Sequence, residues 1–257
     1  MKQKISHAGK MPVRRMLQSL CTLLIVFPGM FASASESSWP MDPMEPDLEN
    51  LPSLQNGWRL YTNYCLGCHS LKYQRYERTA DDLAVPHDIV LEQLIFTGQK
   101  IGEPMTTSMD PQLARNWFGA APPDLTLVAR LRGVEWLYNY LRTFYLDESR
   151  PLGVNNKVFP NVGMPNVLLG LQGVQVANCQ PADTQTCDEL VLQEGTGAYT
   201  SEEFDAAVYD LVNFLYYTGD PSRMERHRIG VYVLLFLVIL FMFTWLLGRE
   251  YQKDVKH

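Results

Sequence analysis

Apolar residues recur at helical intervals in several stretches of the chain. Positions 134, 137, 138, 141, 144 and 145 carry Val, Leu, Tyr, Leu, Phe and Tyr, a spacing that predicts a helix over residues 134–146. Phe204, Ala207, Val208, Leu211 and Leu215 fall on one face of a second predicted helix. Thr200 and Glu203 fit a capping box at its start, and Gly219 with Pro221 beyond marks its end. Further helices are expected over residues 54–69, with Leu60 and Tyr64 on one side, and over residues 87–96. Residues 229–247 form an uninterrupted apolar run of 19 positions without a charge. At 1.5 Å per residue it reaches about 28 Å, close to a hydrocarbon core of about 30 Å. Tyr232 and Trp245 stand near its ends, where amphipathic rings are favoured at a membrane surface. No stretch alternates with period two over more than a few residues, and no internal repeat is visible. The pattern predicts a mainly α protein with long Pro/Gly-rich loops and one C-terminal transmembrane helix.

The amino terminus reads as an export signal. Lys2, Lys4, Lys10, Arg14 and Arg15 precede an apolar stretch from Leu20 to Phe31, and Ala32-Ser33-Ala34 supplies a small-residue cleavage site. The expected organisation is a signal peptide over 1–34, a periplasmic domain over 35–228, the span over 229–247 and a cytoplasmic tail over 248–257. This places the chain in the cell inner membrane as a single-pass protein. Residues 35–228 hold 14 Lys+Arg against 26 Asp+Glu, a net charge of −12. That sign disfavours nucleic acid and suits electrostatic steering of a cationic soluble partner. Cys179 and Cys187, in an oxidising compartment, read as a loop closed by one disulfide, worth roughly 2–3 kcal/mol.

Within this frame the stretch YCLGCHS, residues 64–70, carries the chemistry. Cys-x-x-Cys serves as a redox dithiol, as half a zinc site or as a haem attachment point. A zinc site needs four ligands, and Cys179 and Cys187 make a poor second half. A thiol–disulfide oxidoreductase leaves His69 without a role. The haem reading uses every residue: Cys65 and Cys68 form thioethers to the vinyl groups, and His69 offers a neutral imidazole to the iron. No serine or cysteine nucleophile stands with a placed base, so nothing favours a hydrolase.

Three segments carry a family resemblance. SLQNGWRLYTNYCLGCHSLKYQRYER, ARNWFGAAPPDLTLVARLRG (114–133) and DLVNFLYYTGDPSRMERHRIGVYV (210–233) resemble, in order, the haem helix, the Pro-Pro-Asp-Leu segment and the anchor junction of the cytochrome c1 family. The resemblance covers nearly all of the chain beyond the signal. It implies a class I-type cytochrome c domain with loop insertions and one covalent haem c. The implied role is passing electrons from the Rieske iron–sulfur protein to a soluble or anchored cytochrome c, as an electron-carrier subunit not catalytic alone. The implied partners are the cytochrome b subunit, the Rieske protein, a cationic cytochrome c and membrane lipid, in a dimer of the whole complex. A membrane-anchored mono-haem cytochrome donating to a terminal oxidase or reductase is the alternative.

Met/His ligation raises the potential of a c-type haem, so a methionine is expected as sixth ligand. By position, Met105, Met109 and Met164 remain open. The resemblance implies Met164, in FPNVGMPNVL, because Phe159, Pro160, Gly163 and Pro165 match the family's pattern around its ligand. It likewise implies Arg132 beside a haem propionate, with Arg130 and Arg115 as competitors, and Pro122 and Pro123 walling the haem. Trp136 and Tyr138 are expected near the ring or in the core. His87 is expected at the surface, with bis-histidine ligation as its other reading.

Overall fold

The computed structural model of the chain describes residues 39–178 and 189–254. The expected signal peptide, Cys21 and the Cys179–Cys187 bridge lie outside the described residues.

Helix α1 (Leu51–Leu60) starts where the Asn50 side chain accepts a hydrogen bond from the Ser53 amide at 3.2 Å. It runs into one wider, π-helical turn, Tyr61–Cys65. The single helix expected over 54–69 therefore ends at Cys65, and the Cys68 and His69 amides both donate back to the Cys65 carbonyl. Extra-residue turns of this kind are frequent at functional sites, where they re-aim the side chains that follow.

Strand β1 (Leu71–Arg75), helices α2 (Tyr76–Asp82) and α3 (His87–Gln93), strand β2 (Pro104–Met105) and helix α4 (Pro111–Phe118) follow. Helix α5 (Val128–Arg132) leads through Gly133 into α6 (Val134–Arg142). Here the structure departs from the expected helix over 134–146. Residues Phe144–Leu146 form strand β3, paired antiparallel with β4 (Val154–Asn156). Phe144 and Tyr145 are both buried although they face opposite sides of the strand, so β3 is covered on both faces. Helix α7 (Leu169–Gln172), strands β5 (Gln175–Ala177) and β6 (Leu190–Leu192), and helices α8 (Ser201–Gly219) and α9 (Arg223–Asp254) complete the order. The strands form three separate two-stranded antiparallel pairs, so the fold is mainly helical.

Helix α8 opens with the expected capping box. The Glu203 amide donates to Thr200 Oγ1 at 3.2 Å, and the Thr200 amide donates to Glu203 Oε2 at 2.9 Å. Its main partner is α1. At their crossing a Cβ on Gly57 would lie 2.0 Å from the Asp210 carbonyl oxygen and 2.6 Å from Phe214 Cβ, so only glycine allows this approach. Trp58, Tyr61, Phe214 and Tyr217 are fully buried around the crossing. Ser53 Oγ and Asn56 Nδ2 donate to the Asp210 carboxylate there, at 2.5 and 2.7 Å.

Helix α9 contains the expected apolar run. Within residues 228–253 the most apolar 18-residue window has a mean hydropathy of 2.6, and none of it is buried against the rest of the chain. Twenty-six helical residues rise about 39 Å, more than a hydrocarbon core of about 30 Å. At the junction Asp220 pairs with Arg226 at 2.8 Å and, more distantly, with Arg130 at 3.7 Å.

Candidate functional site

A cavity of about 360 Å³, predominantly apolar, opens between the end of the π turn, residues 120–123, α5–α6, the 159–167 loop and α8. Its walls bring together all six residues singled out from the sequence: Cys65, Cys68, His69, Pro123, Arg132 and Met164.

His69 is fixed from both sides. The Tyr61 hydroxyl, in the buried aromatic core, donates to the His69 carbonyl at 2.7 Å. The imidazole Nδ1 lies 2.7 Å from the Pro123 carbonyl oxygen. A carbonyl can only accept, so Nδ1 carries the proton and Nε2 keeps its lone pair. Pro123 thus contributes its backbone oxygen as well as its ring to the wall. Residues 123–126 are laced onto β1: the Leu125 amide donates to the Ser70 carbonyl at 2.9 Å, and the Lys72 and Thr126 amides donate to the Asp124 carboxylate at 2.8 and 3.0 Å. Burial lowers the His69 pKa, against weaker upward pulls from the Pro123 hydrogen bond and the Asp124 charge, so the imidazole is neutral near pH 7.

The thiols are the reverse of a redox dithiol. Burial, reinforced by the neighbouring Cys68, pushes the Cys65 thiol up to about 12, and burial raises Cys68 as well. Thiol–disulfide enzymes need a depressed thiol pKa, which speaks against that reading. Among the described residues no group of three or more His, Cys, Asp or Glu side chains could hold a metal ion, and Cys179 and Cys187 lie outside them.

Met164 is the one methionine among the described residues that lines the cavity. Met105 is fully buried, paired with Leu71 across β1 and β2, and Met109 also lies outside the walls. Gly163 also lines the cavity, and a Cβ there would meet the Phe118 carbonyl oxygen at 3.3 Å. Among the arginines, Arg132 lines the cavity and lies over the Trp136 ring at 5.0 Å and the Phe159 ring at 5.9 Å. Arg130 turns away, donating to the Gly219 carbonyl at 3.2 Å, and Arg115 is outside the walls. Trp136 lines the cavity, whereas Tyr138 lies outside it, under Arg142 at 4.5 Å. His87 pairs with Asp81 at the surface, 2.9 Å away.

Two groups at the site escaped the sequence reading. Tyr140 stacks on Trp136 with ring centroids 4.8 Å apart, and its hydroxyl donates to Met164 Sδ at 3.3 Å. Its position four residues beyond Trp136 was the available signal. Asn155 and Asn156, fully buried, hold the 157–164 segment by its amides. The donor set fits a covalent haem: two thiols, a neutral imidazole with Nε2 free, a thioether, an apolar wall and one guanidinium suited to carboxylates.

Comparison with known proteins agrees with this chemistry. The model of the family described as "Cytochrome C1 family" matches residues 97–255. The chain is similar to the cytochrome c1 of Allochromatium vinosum, at 45% identity over 92% of this chain and 98% of that one. It is also similar to a protein of Nitrosomonas europaea named as the ammonia monooxygenase gamma subunit, at 39% identity over 94% and 99%. Both alignments cover too much of the chain to omit residues 65–69, which precede the family match. A chain of a hyperthermophilic respiratory complex III is similar at a TM-score of 0.42 and 16% identity, over 95% of this chain and 98% of that one, too low to define the fold.

Proposed function

The chain belongs to the cytochrome c1 family, and from that premise we infer that it is the electron-transfer subunit of a quinol–cytochrome c reductase. Members of this family carry a covalently bound c-type haem, which supplies one-electron redox chemistry. Electrons enter from a Rieske iron–sulfur protein and leave to a cytochrome c, with a cytochrome b subunit as membrane neighbour. The observation that carries this reading is the single cavity that gathers Cys65, Cys68, His69 and Met164.

In this reading Cys65 and Cys68 would hold the group covalently, and His69 and Met164 would ligate its iron. Arg132 would pair with a carboxylate of the group, and Pro123 orients His69 through its carbonyl. The mature chain begins after residue 34, residues 229–247 within α9 span the inner membrane, and residues 35–228 lie in the periplasm. The −12 charge of that segment supports a cationic acceptor, whose on-rate then falls as salt rises. The whole complex is a dimer.

The test is quinol-driven reduction of this haem in native membranes, with and without a functional Rieske protein. Rapid reduction that disappears without the Rieske protein is expected. Reduction that persists without it points to a separate anchored donor. A second reading draws on the Nitrosomonas europaea relative and its name. It requires the chain to co-purify with ammonia-oxidising activity and to be indifferent to the Rieske protein.

A further inference from the structure

Met164 sits on a loop without regular structure, between β4 and α7, yet its sulfur has one defined partner. The Tyr140 phenol donates to Sδ at 3.3 Å, the hydroxyl's one hydrogen bond among the described residues. The ring that carries it cannot swing: Trp136 stacks on it at 4.8 Å and 10°, and Phe144 packs edge-on at 5.2 Å. The same residue anchors the loop. Asn156, 1% exposed, donates from Nδ2 to the Tyr140 carbonyl at 2.7 Å. Its Oδ1 accepts the Val158 and Phe159 amides, both at 2.9 Å. Asn155, next to it, accepts the Asn161 amide at 2.8 Å and stabilises a left-handed residue with φ 62°. One turn of α6 therefore holds both the sulfur and the chain that delivers it.

We propose that Tyr140 and Asn156 form a positioning device for the Met164 thioether, Tyr140 orienting and polarising the sulfur and Asn156 clasping its loop to α6. The inference rests on Met164 being the second axial ligand. A thioether sulfur has two lone pairs. With one directed by the phenol, the other is left for the iron, and the sulfur's orientation is set before ligation. The hydrogen bond also draws charge from the sulfur. It is stronger when the iron is ferrous, because the sulfur then donates less and stays the better acceptor. The bond therefore raises the reduction potential.

The experiment uses the full chain in its detergent-solubilised complex. Three variants are compared: Tyr140→Phe, Asn156→Ala and the more conservative Asn156→Asp. Redox titration of the haem should show a lower potential for Tyr140→Phe, with an unchanged thermal midpoint of comparable sharpness, since both ring contacts remain. For Asn156→Ala, imidazole should displace the thioether from ferric iron at roughly tenfold lower concentration, the equivalent of losing one or two hydrogen bonds. Asn156→Asp keeps the acceptor oxygen for Val158 and Phe159, so it should recover part of that loss even where Asn156→Ala folds poorly. An unchanged potential in Tyr140→Phe, or an unchanged imidazole affinity in both Asn156 variants, overturns the proposal. Met164→Leu separates the two levels of the argument. If it keeps the ferric thioether–iron band, the ligand assignment itself fails. If the band goes but Tyr140→Phe leaves the potential unmoved, only the positioning role fails.

Discussion

Residues 51–72 and residues 143–167 each deliver one proposed axial ligand to the same cavity, and they are held by different forces. The first region is an extension of the aromatic core. Trp58 and Tyr61 are fully buried against Phe214, and Tyr61 reaches on to the His69 carbonyl. The second region has few apolar anchors and depends on side-chain amides bonding to backbone. Asn155 and Asn156 between them accept the amides of Val158, Phe159 and Asn161. An apolar crossing shares its stability with the whole domain, whereas a hydrogen-bonded loop opens locally at lower cost. The imidazole is thus held through the shared core, and the thioether through hydrogen bonds along its own loop.

The comparison breaks most completely at the helix crossing. Gly57→Ala sets a methyl against the Asp210 backbone and Phe214, and overpacking of that severity costs about 3 kcal/mol. Thermal unfolding should show a large fall in midpoint affecting both regions together. A small fall would mean that α1 and α8 are not the shared support.

A smaller and more local effect is expected from Asn155→Ala. It removes the acceptor for the Asn161 amide and the Asn155 donor to Asp147 at 2.9 Å, a loss of about 2 kcal/mol. Hydrogen exchange should accelerate across residues 156–161 while α1 and α8 keep their protection. Acceleration in all three would erase the distinction between the regions. The smallest change belongs to Asp124→Ala, which frees the Lys72 and Thr126 amides at a cost of about 1 kcal/mol. The His69 side should then show faster exchange at those two amides, with the imidazole still bonded to Pro123.

The two regions also differ in how much of them can be read from sequence. Cys65, Cys68 and His69 lie within five residues, and Thr200 and Glu203 write the start of α8 in a local code. The π turn at Tyr61–Cys65 leaves no such mark, because it changes hydrogen-bond register and not side-chain type. Strands of two to five residues are too short to show alternation, and so β3 was absorbed into a helical pattern at Phe144 and Tyr145. Asn155 and Asn156 resemble ordinary turn residues until β3–β4 pairing buries them. Arg132 and Arg130 stand two positions apart on a five-residue helix, and only the bond from Arg130 to Gly219, 89 residues away, decides which one faces the cavity.

In the proposed site one cavity holds the iron between His69 and Met164. Its most direct test is the ferric absorption spectrum of Met164→Leu beside Met105→Leu and Met109→Leu, each with haem still covalently attached. The thioether–iron band should vanish in Met164→Leu alone, and the potential should fall with it. A band that survives there and disappears in either of the other two would contradict that placement of the iron.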